Sequence, residues 1–122
     1  MSGELKVLIV DDEEDLAEIV SESLEKDFSS SYVTCAAKAL SMVENGEVDV
    51  IISDSNMPGM TGLELLEKLK VSQSKVLFYL ATGDIGVTEQ MILDKGGHGV
   101  FEKPFSPSAI VGKIKEDFQK IQ

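Results

Sequence analysis

Acidic, hydroxyl and ammonium side chains stand directly after short apolar runs at four places in this chain: Asp11 with Asp12, Asp54, Thr82 and Lys103. Any one of them has an ordinary reading. An acid after an apolar run is commonly a helix cap or a solvated surface group, and Asp11 or Asp12 could cap a helix starting at Glu13. The coincidence of all four points instead to one shared site. Carboxylates gathered at one edge need a compensating cation, because two like charges ~4 Å apart repel by about 4 kcal/mol at an effective dielectric of about 20. A divalent metal removes that cost. Oxygen-only ligands suit Mg²⁺ or Mn²⁺, and Mg²⁺ held by few protein groups keeps room for a phosphate oxygen.

A calcium loop is the competing metal reading, since Asp11, Glu13, Asp15 and Glu22 fall at its positions 1, 3, 5 and 12. It fails at position 6, where Leu16 replaces the glycine that loop requires. Leu16, Ile19 and Val20 instead make a helix face.

The elements that would position these residues alternate between two periodicities. Apolar runs at 6–10, 32–35, 48–52, 76–81 and 99–101 read as strands, and the first, third and fourth are nearly continuous, as when both sheet faces are covered. Between them lie helical patterns: Leu16, Ile19, Val20 and Leu24; residues 36–44, closed by Asn45-Gly46; Leu63, Leu66 and Leu69 with Leu65; and Ile110, Ile114, Phe118 and Ile121, preceded by Ser106-Pro107 as cap and first helical residue. Five β-α repeats predict an α/β fold, a doubly wound five-stranded parallel sheet with helices on both faces. Ligands of such sheets bind beyond the carboxyl ends of the strands, where all four chemical positions fall.

Composition narrows the function. The chain of 122 residues is the length of one domain, read as 1–122, and its 43% hydrophobic content supports a core. With 22 acidic residues against 11 basic ones the net charge is −11, and every basic residue is lysine. Such a chain is repelled by a duplex or an anionic membrane surface, so no direct nucleic-acid binding is expected. The single Cys35 makes no internal disulfide and is expected to be a small buried residue. His98, among glycines, reads as a surface histidine. Nothing resembles a signal peptide or a membrane span, and a cytoplasmic setting is expected.

The segment Asp54-Ser55-Asn56-Met57-Pro58-Gly59-Met60-Thr61-Gly62 matches Asp-x-x-Met-Pro-Gly-Met-x-Gly at each fixed position. With Asp11-Asp12, Thr82 and Lys103-Pro104-Phe105, it makes the chain resemble a response-regulator receiver domain of two-component signalling over essentially its whole length, in the stand-alone chemotaxis-type form. The resemblance implies the flavodoxin-like strand order 2-1-3-4-5 and no output domain. It implies Asp54 as phosphoryl acceptor, with Mg²⁺ held by Asp12 and Asp54, by Asp11 through water, and by the Asn56 backbone carbonyl. Thr82 would bond the phosphoryl group and Lys103 would pair with Asp54. Asn56 and Asp84 would line the path of the hydrolytic water, and a cis peptide would precede Pro104. A histidine kinase or histidine phosphotransfer protein would be the donor, and a downstream protein would read the face of helix four, strand five and helix five.

The sequence departs from the family pattern at two places: Cys35-Ala36-Ala37-Lys38-Ala39-Leu40 lacks the glycine turn common before the second helix, and Val100 stands where receivers often carry Tyr or Phe. Phe101 next to it points to the other face of a strand and does not substitute. Two other readings compete. A haloacid-dehalogenase-type Mg²⁺ phosphatase wants an acid two residues after its nucleophile, where this chain has Asn56. A phosphorylation-independent interaction module would have no use for the acid pocket.

Overall fold

The computed structural model describes residues 4–57, 59–83, 86–103 and 106–120. Five strands alternate with five helices: β1 Lys6–Val10, α1 Glu14–Ser23, β2 Ser29–Val33, α2 Ala36–Glu44, β3 Val50–Asp54, α3 Gly62–Val71, β4 Leu77–Thr82, α4 Glu89–Asp94, β5 Gly99–Glu102 and α5 Pro107–Lys120. All strand pairs are parallel and the order is β2-β1-β3-β4-β5, the doubly wound arrangement expected. No helix among the described residues is long and apolar enough to cross a membrane.

The central strands explain the continuous apolar runs. Val7, Ile9, Val50, Ile52, Leu77, Tyr79 and Ala81 face a cluster with Ala17, Val20, Ile110 and Ile114 of α1 and α5. Leu8, Val10, Ile51, Phe78 and Leu80 face the opposite cluster with α2 and α3. Each strand therefore buries both of its faces, and alternation of polarity would be a defect.

Several local expectations need correction. Strand β2 covers Ser29–Val33 rather than 32–35. Its serines are poor strand formers, but β2 is an edge strand, and Ser30 Oγ donates to the Ser21 carbonyl of α1 at 2.6 Å. Ile19 lies 62% exposed, off the buried face made by Ala17, Val20 and Ser21. Leu63 is only half-buried, because Leu65, Leu66 and Leu69 are the side chains α3 buries. Cys35 is half-buried at the N-cap of α2. Pro58, Asp84, Pro104, Phe105 and Ile121 lie outside the described residues, so the cis peptide before Pro104 and the position of Asp84 do too.

His98 is half-buried rather than on the surface. Its backbone N–H donates to the Phe78 carbonyl at 2.7 Å, and its Nδ1 accepts the Phe78 N–H at 3.1 Å. That second bond needs a neutral ring. Burial, aided by Lys70 and Lys113 and opposed by Asp117, holds the imidazole below its ordinary value. The unfolded chain therefore binds the proton more readily, so this contribution is present above the ordinary imidazole value of about 6.5 and is lost as pH falls through the lowered one. Urea unfolding between pH 7 and pH 5 should show stability falling with pH, with a shallower slope in His98→Ala. Equal slopes would count against the role of the ring.

Tyr79 is buried, stacked on Phe101 with ring centroids 5.2 Å apart, and its hydroxyl donates to Asp117 Oδ2 at 2.6 Å. Burial first, then Asp117, push the phenol well above its ordinary range. Asp117 is buried on α5 and is also paired with Lys113 at 3.5 Å.

Candidate functional site

The parallel register brings the ends of β1, β3, β4 and β5 to one rim. Val10 pairs with Ser53, Asp54 with Ala81, and Thr82 with Glu102. Asp11 and Asp12 therefore leave β1 beside Asp54, and Lys103 leaves β5 beside Thr82, whose carbonyl accepts the Lys103 backbone N–H at 2.9 Å.

Asp11, Asp12 and Asp54 each offer a carboxylate oxygen within 4.8 Å of the others. Asp11 is buried, Asp54 half-buried and Asp12 exposed. Asp11 Oδ1 accepts the Glu13 N–H at 2.9 Å, so this acid also orders the entry to α1. That helix has no side-chain cap from Glu13 itself. Lys103 Nζ donates to Asp54 Oδ1 at 2.8 Å and lies 3.7 Å from Asp11 Oδ2. Among the described residues, two of the three clustered carboxylates, Asp11 and Asp54, thus face the Lys103 ammonium.

The electrostatics follow from this crowding. Burial raises the Asp11 carboxyl above its ordinary value, the Asp54 and Asp12 charges add to the rise, and the Glu13 N–H and Lys103 oppose it. Burial works to lower Lys103, but the Asp54 hydrogen bond and charge, with Asp11 and Glu13, more than offset it and hold the ammonium above its ordinary value. Hard oxygen donors from close-set carboxylates, only partly neutralised by one lysine, fit a small divalent cation.

Thr82 is 2% exposed at the end of β4, and its Oγ1 accepts from Ser55 Oγ at 3.2 Å. The Ser55 hydroxyl was not among the residues singled out from sequence. No spacing rule marks it, because its contact depends on the register of β3 against β4. Asn56 is exposed just past β3, two residues after Asp54. Met57 is buried and Met60 half-buried, both against the α3-side cluster. Thr61 caps α3 reciprocally with Glu64: Glu64 N–H donates to Thr61 Oγ1, and Thr61 N–H to Glu64 Oε1. Val100 is half-buried on the α3 side, and Phe101 is buried on the opposite side.

Comparison with known proteins finds a matching family and shared folds. The family model of the response regulator receiver domain matches residues 7–115. The regulatory protein VanR of Enterococcus faecium is 28% identical over 116 residues, covering 94% of this chain and 50% of that protein. The C4-dicarboxylate transport transcriptional regulatory protein DctD of Rhizobium meliloti is 32% identical over 123 residues, covering 98% of this chain and 26% of that protein. The chain thus spans half the length or less of these curated relatives. Among solved structures, the chemotaxis response regulator CheY4 of Vibrio cholerae superposes with a TM-score of 0.77 at 30% identity, covering 98% of this chain and 99% of that one. The receiver domain of the Francisella response regulator 1452 shares the fold with a TM-score of 0.85 at 23% identity, covering 97% of this chain and 99% of that one.

Proposed function

The chain belongs to the response regulator receiver domain family, and from that membership we propose that it takes a phosphoryl group onto Asp54 from a phosphohistidine of a histidine kinase or phosphotransfer protein. The observation that carries this reading is the rim constellation: Asp54 bonded to Lys103 at 2.8 Å, beside Asp11 and Asp12. In the transfer, an Asp54 carboxylate oxygen forms a bond to phosphorus as the donor's N–P bond breaks. The electron pair stays with the donor imidazole. The product is an acyl phosphate, which water later cleaves.

Phosphoryl transfer asks little covalent chemistry of a protein beyond an in-line nucleophile and stabilised equatorial oxygens. Asp54 is held at the mouth of the rim by the strand that ends there. Lys103, bonded to Asp54 at 2.8 Å, would exchange that oxygen for a phosphoryl oxygen, and the Thr82 hydroxyl, one residue past the partner of Asp54 on β4, would donate to another. A Mg²⁺ or Mn²⁺ ion held by Asp12 and Asp54, by Asp11 through water and by the Asn56 carbonyl would supply positive charge against the incoming group, which adds about −1.5 to −2.

A modified Asp54 would shift the loop after β4 and helix α4, and a downstream protein would read the surface of α4, β5 and α5. Val100 offers no ring to that response, so the readout rests on the loop and helix. Incubation with acetyl phosphate or phosphoramidate should raise the intact mass by one phosphoryl group in the presence of Mg²⁺ or Mn²⁺, and excess chelator should stop it. Mass gain that persists in chelator would remove the metal from the reading.

A further inference from the structure

Thr82 has a resting partner of its own. Asp54 at the end of β3 pairs with Ala81, and Ser55, the first residue past β3, lies beside Thr82 at the end of β4. Paired residues of a parallel ladder share a face, and successive residues alternate between faces. Packing shows this alternation: Ile52 and Ala81 belong to the cluster under α1 and α5, and Leu80 to the cluster under α2 and α3. The 3.2 Å bond from Ser55 Oγ to Thr82 Oγ1 lies on the face opposite to the one Asp54 shares with Ala81. The Asp54 carboxylate takes its own bond from Lys103.

We propose that Ser55 is a positioning residue: in the unphosphorylated protein its hydroxyl holds Thr82 away from Asp54, and Thr82 exchanges this bond for a phosphoryl oxygen when Asp54 is modified. The proposal rests on the reading of Asp54 as acceptor and Thr82 as the hydroxyl that meets the phosphoryl group. Val100 pairs with Leu80 and packs into the same cluster, so the aliphatic wall behind Thr82 has no phenol to catch it in either state. The Ser55 hydroxyl is then a group whose hydrogen bond differs between the two positions of Thr82. A bond made in one state alone shifts the equilibrium between states by its own worth. For a neutral, half-buried hydrogen bond that is about fivefold in an equilibrium constant.

The test is a calorimetric titration with beryllofluoride, a phosphoryl mimic, at saturating Mg²⁺, on wild type, Ser55→Ala, Thr82→Ala and the double variant. Ser55→Ala should bind about fivefold more tightly than wild type. In the Thr82→Ala background the same substitution should change nothing, an outcome that a merely structural Ser55 would not give. Ser55→Cys, nearly the same size with a weaker donor, should move affinity the same way by a smaller factor, and it serves should Ser55→Ala fold poorly. Unchanged or weaker binding by both Ser55 variants, or an equal change in both Thr82 backgrounds, would overturn the proposal. Failure of wild type to bind beryllofluoride, or binding that survives Asp54→Ala, would overturn the acceptor reading instead.

Discussion

Asp54→Ala should abolish phosphoryl uptake from acetyl phosphate, with no residual labelling on the two carboxylates beside it. Proximity alone does not make those neighbours substitutes. Asp11 is 5% exposed, with Oδ1 committed to the Glu13 N–H at 2.9 Å and Oδ2 facing Lys103 at 3.7 Å. Neither oxygen can turn toward an incoming phosphorus without breaking the entry to α1. Asp12 is exposed and is not placed against Lys103. In-line attack depends on a fixed approach, and a well-placed nucleophile gains several orders of magnitude over a misplaced one. Stability should move far less. The variant loses the 2.8 Å pair with Lys103, whose side chain is 27% exposed, but it also removes one of three crowded like charges. The net change should stay within about 1 kcal/mol. Intact mass after acetyl phosphate and thermal unfolding, measured on the same sample, separate the two effects. A label that persists in Asp54→Ala refutes the acceptor, and loss of label together with loss of fold leaves a structural role in its place.

What could be read from sequence and what could not divide along a physical line. The central strands were legible because each buries both faces, so Val7 to Val10 and Leu77 to Ala81 form unbroken apolar runs. The convergence of Asp11, Asp12, Asp54 and Lys103 followed from topology, since every strand of a parallel sheet delivers its carboxyl end to the same rim. Position 106–107 and Asn45-Gly46 marked helix ends by backbone chemistry that is local to them. The misplaced β2 is a case of tertiary context overriding propensity: Ser29, Ser30 and Ser31 are held in a strand by pairing with β1 and by the Ser21 carbonyl. The buried polar residues were illegible for a related reason. Nothing around Asp117 in the chain announces the Tyr79 hydroxyl, 38 residues earlier, that donates to it in the core, and the half-buried His98 accepts at Nδ1 from the Phe78 N–H of β4, 20 residues away. Ser55 belongs with them, since its partner is set by register.

The glycine that closes the segment from Asp54 to Gly62 is there for space. A Cβ on Gly62 would lie 2.5 Å from the Asp54 carbonyl oxygen and 2.5 Å from Leu80 Cδ1, with Ser53 Oγ at 3.3 Å. Leu80 can turn aside, but the carbonyl belongs to the backbone of Asp54 itself. Gly62 N–H also donates to the Ser55 carbonyl at 3.0 Å, so the first turn of α3 is seated directly on the end of β3. Gly62→Ala should therefore force α3 and β3 apart, at a cost of about 1–3 kcal/mol, as for other overpacked sites. Because the displaced atoms flank Asp54, the rate of mass gain from acetyl phosphate should fall by about tenfold or more, given that a misplacement of about 1 Å can cost about a hundredfold. Gly112 supplies the opposite case. It lies exposed within α5, and a Cβ there meets nothing within 4 Å. Gly112→Ala should stabilise the protein by about 0.5–1 kcal/mol through helix propensity and leave phosphoryl uptake unchanged. Urea unfolding of the pair should give shifts of opposite sign. If Gly62→Ala instead tracks Gly112→Ala in both stability and rate, the close approach of α3 to the Asp54 backbone is not what requires glycine at position 62.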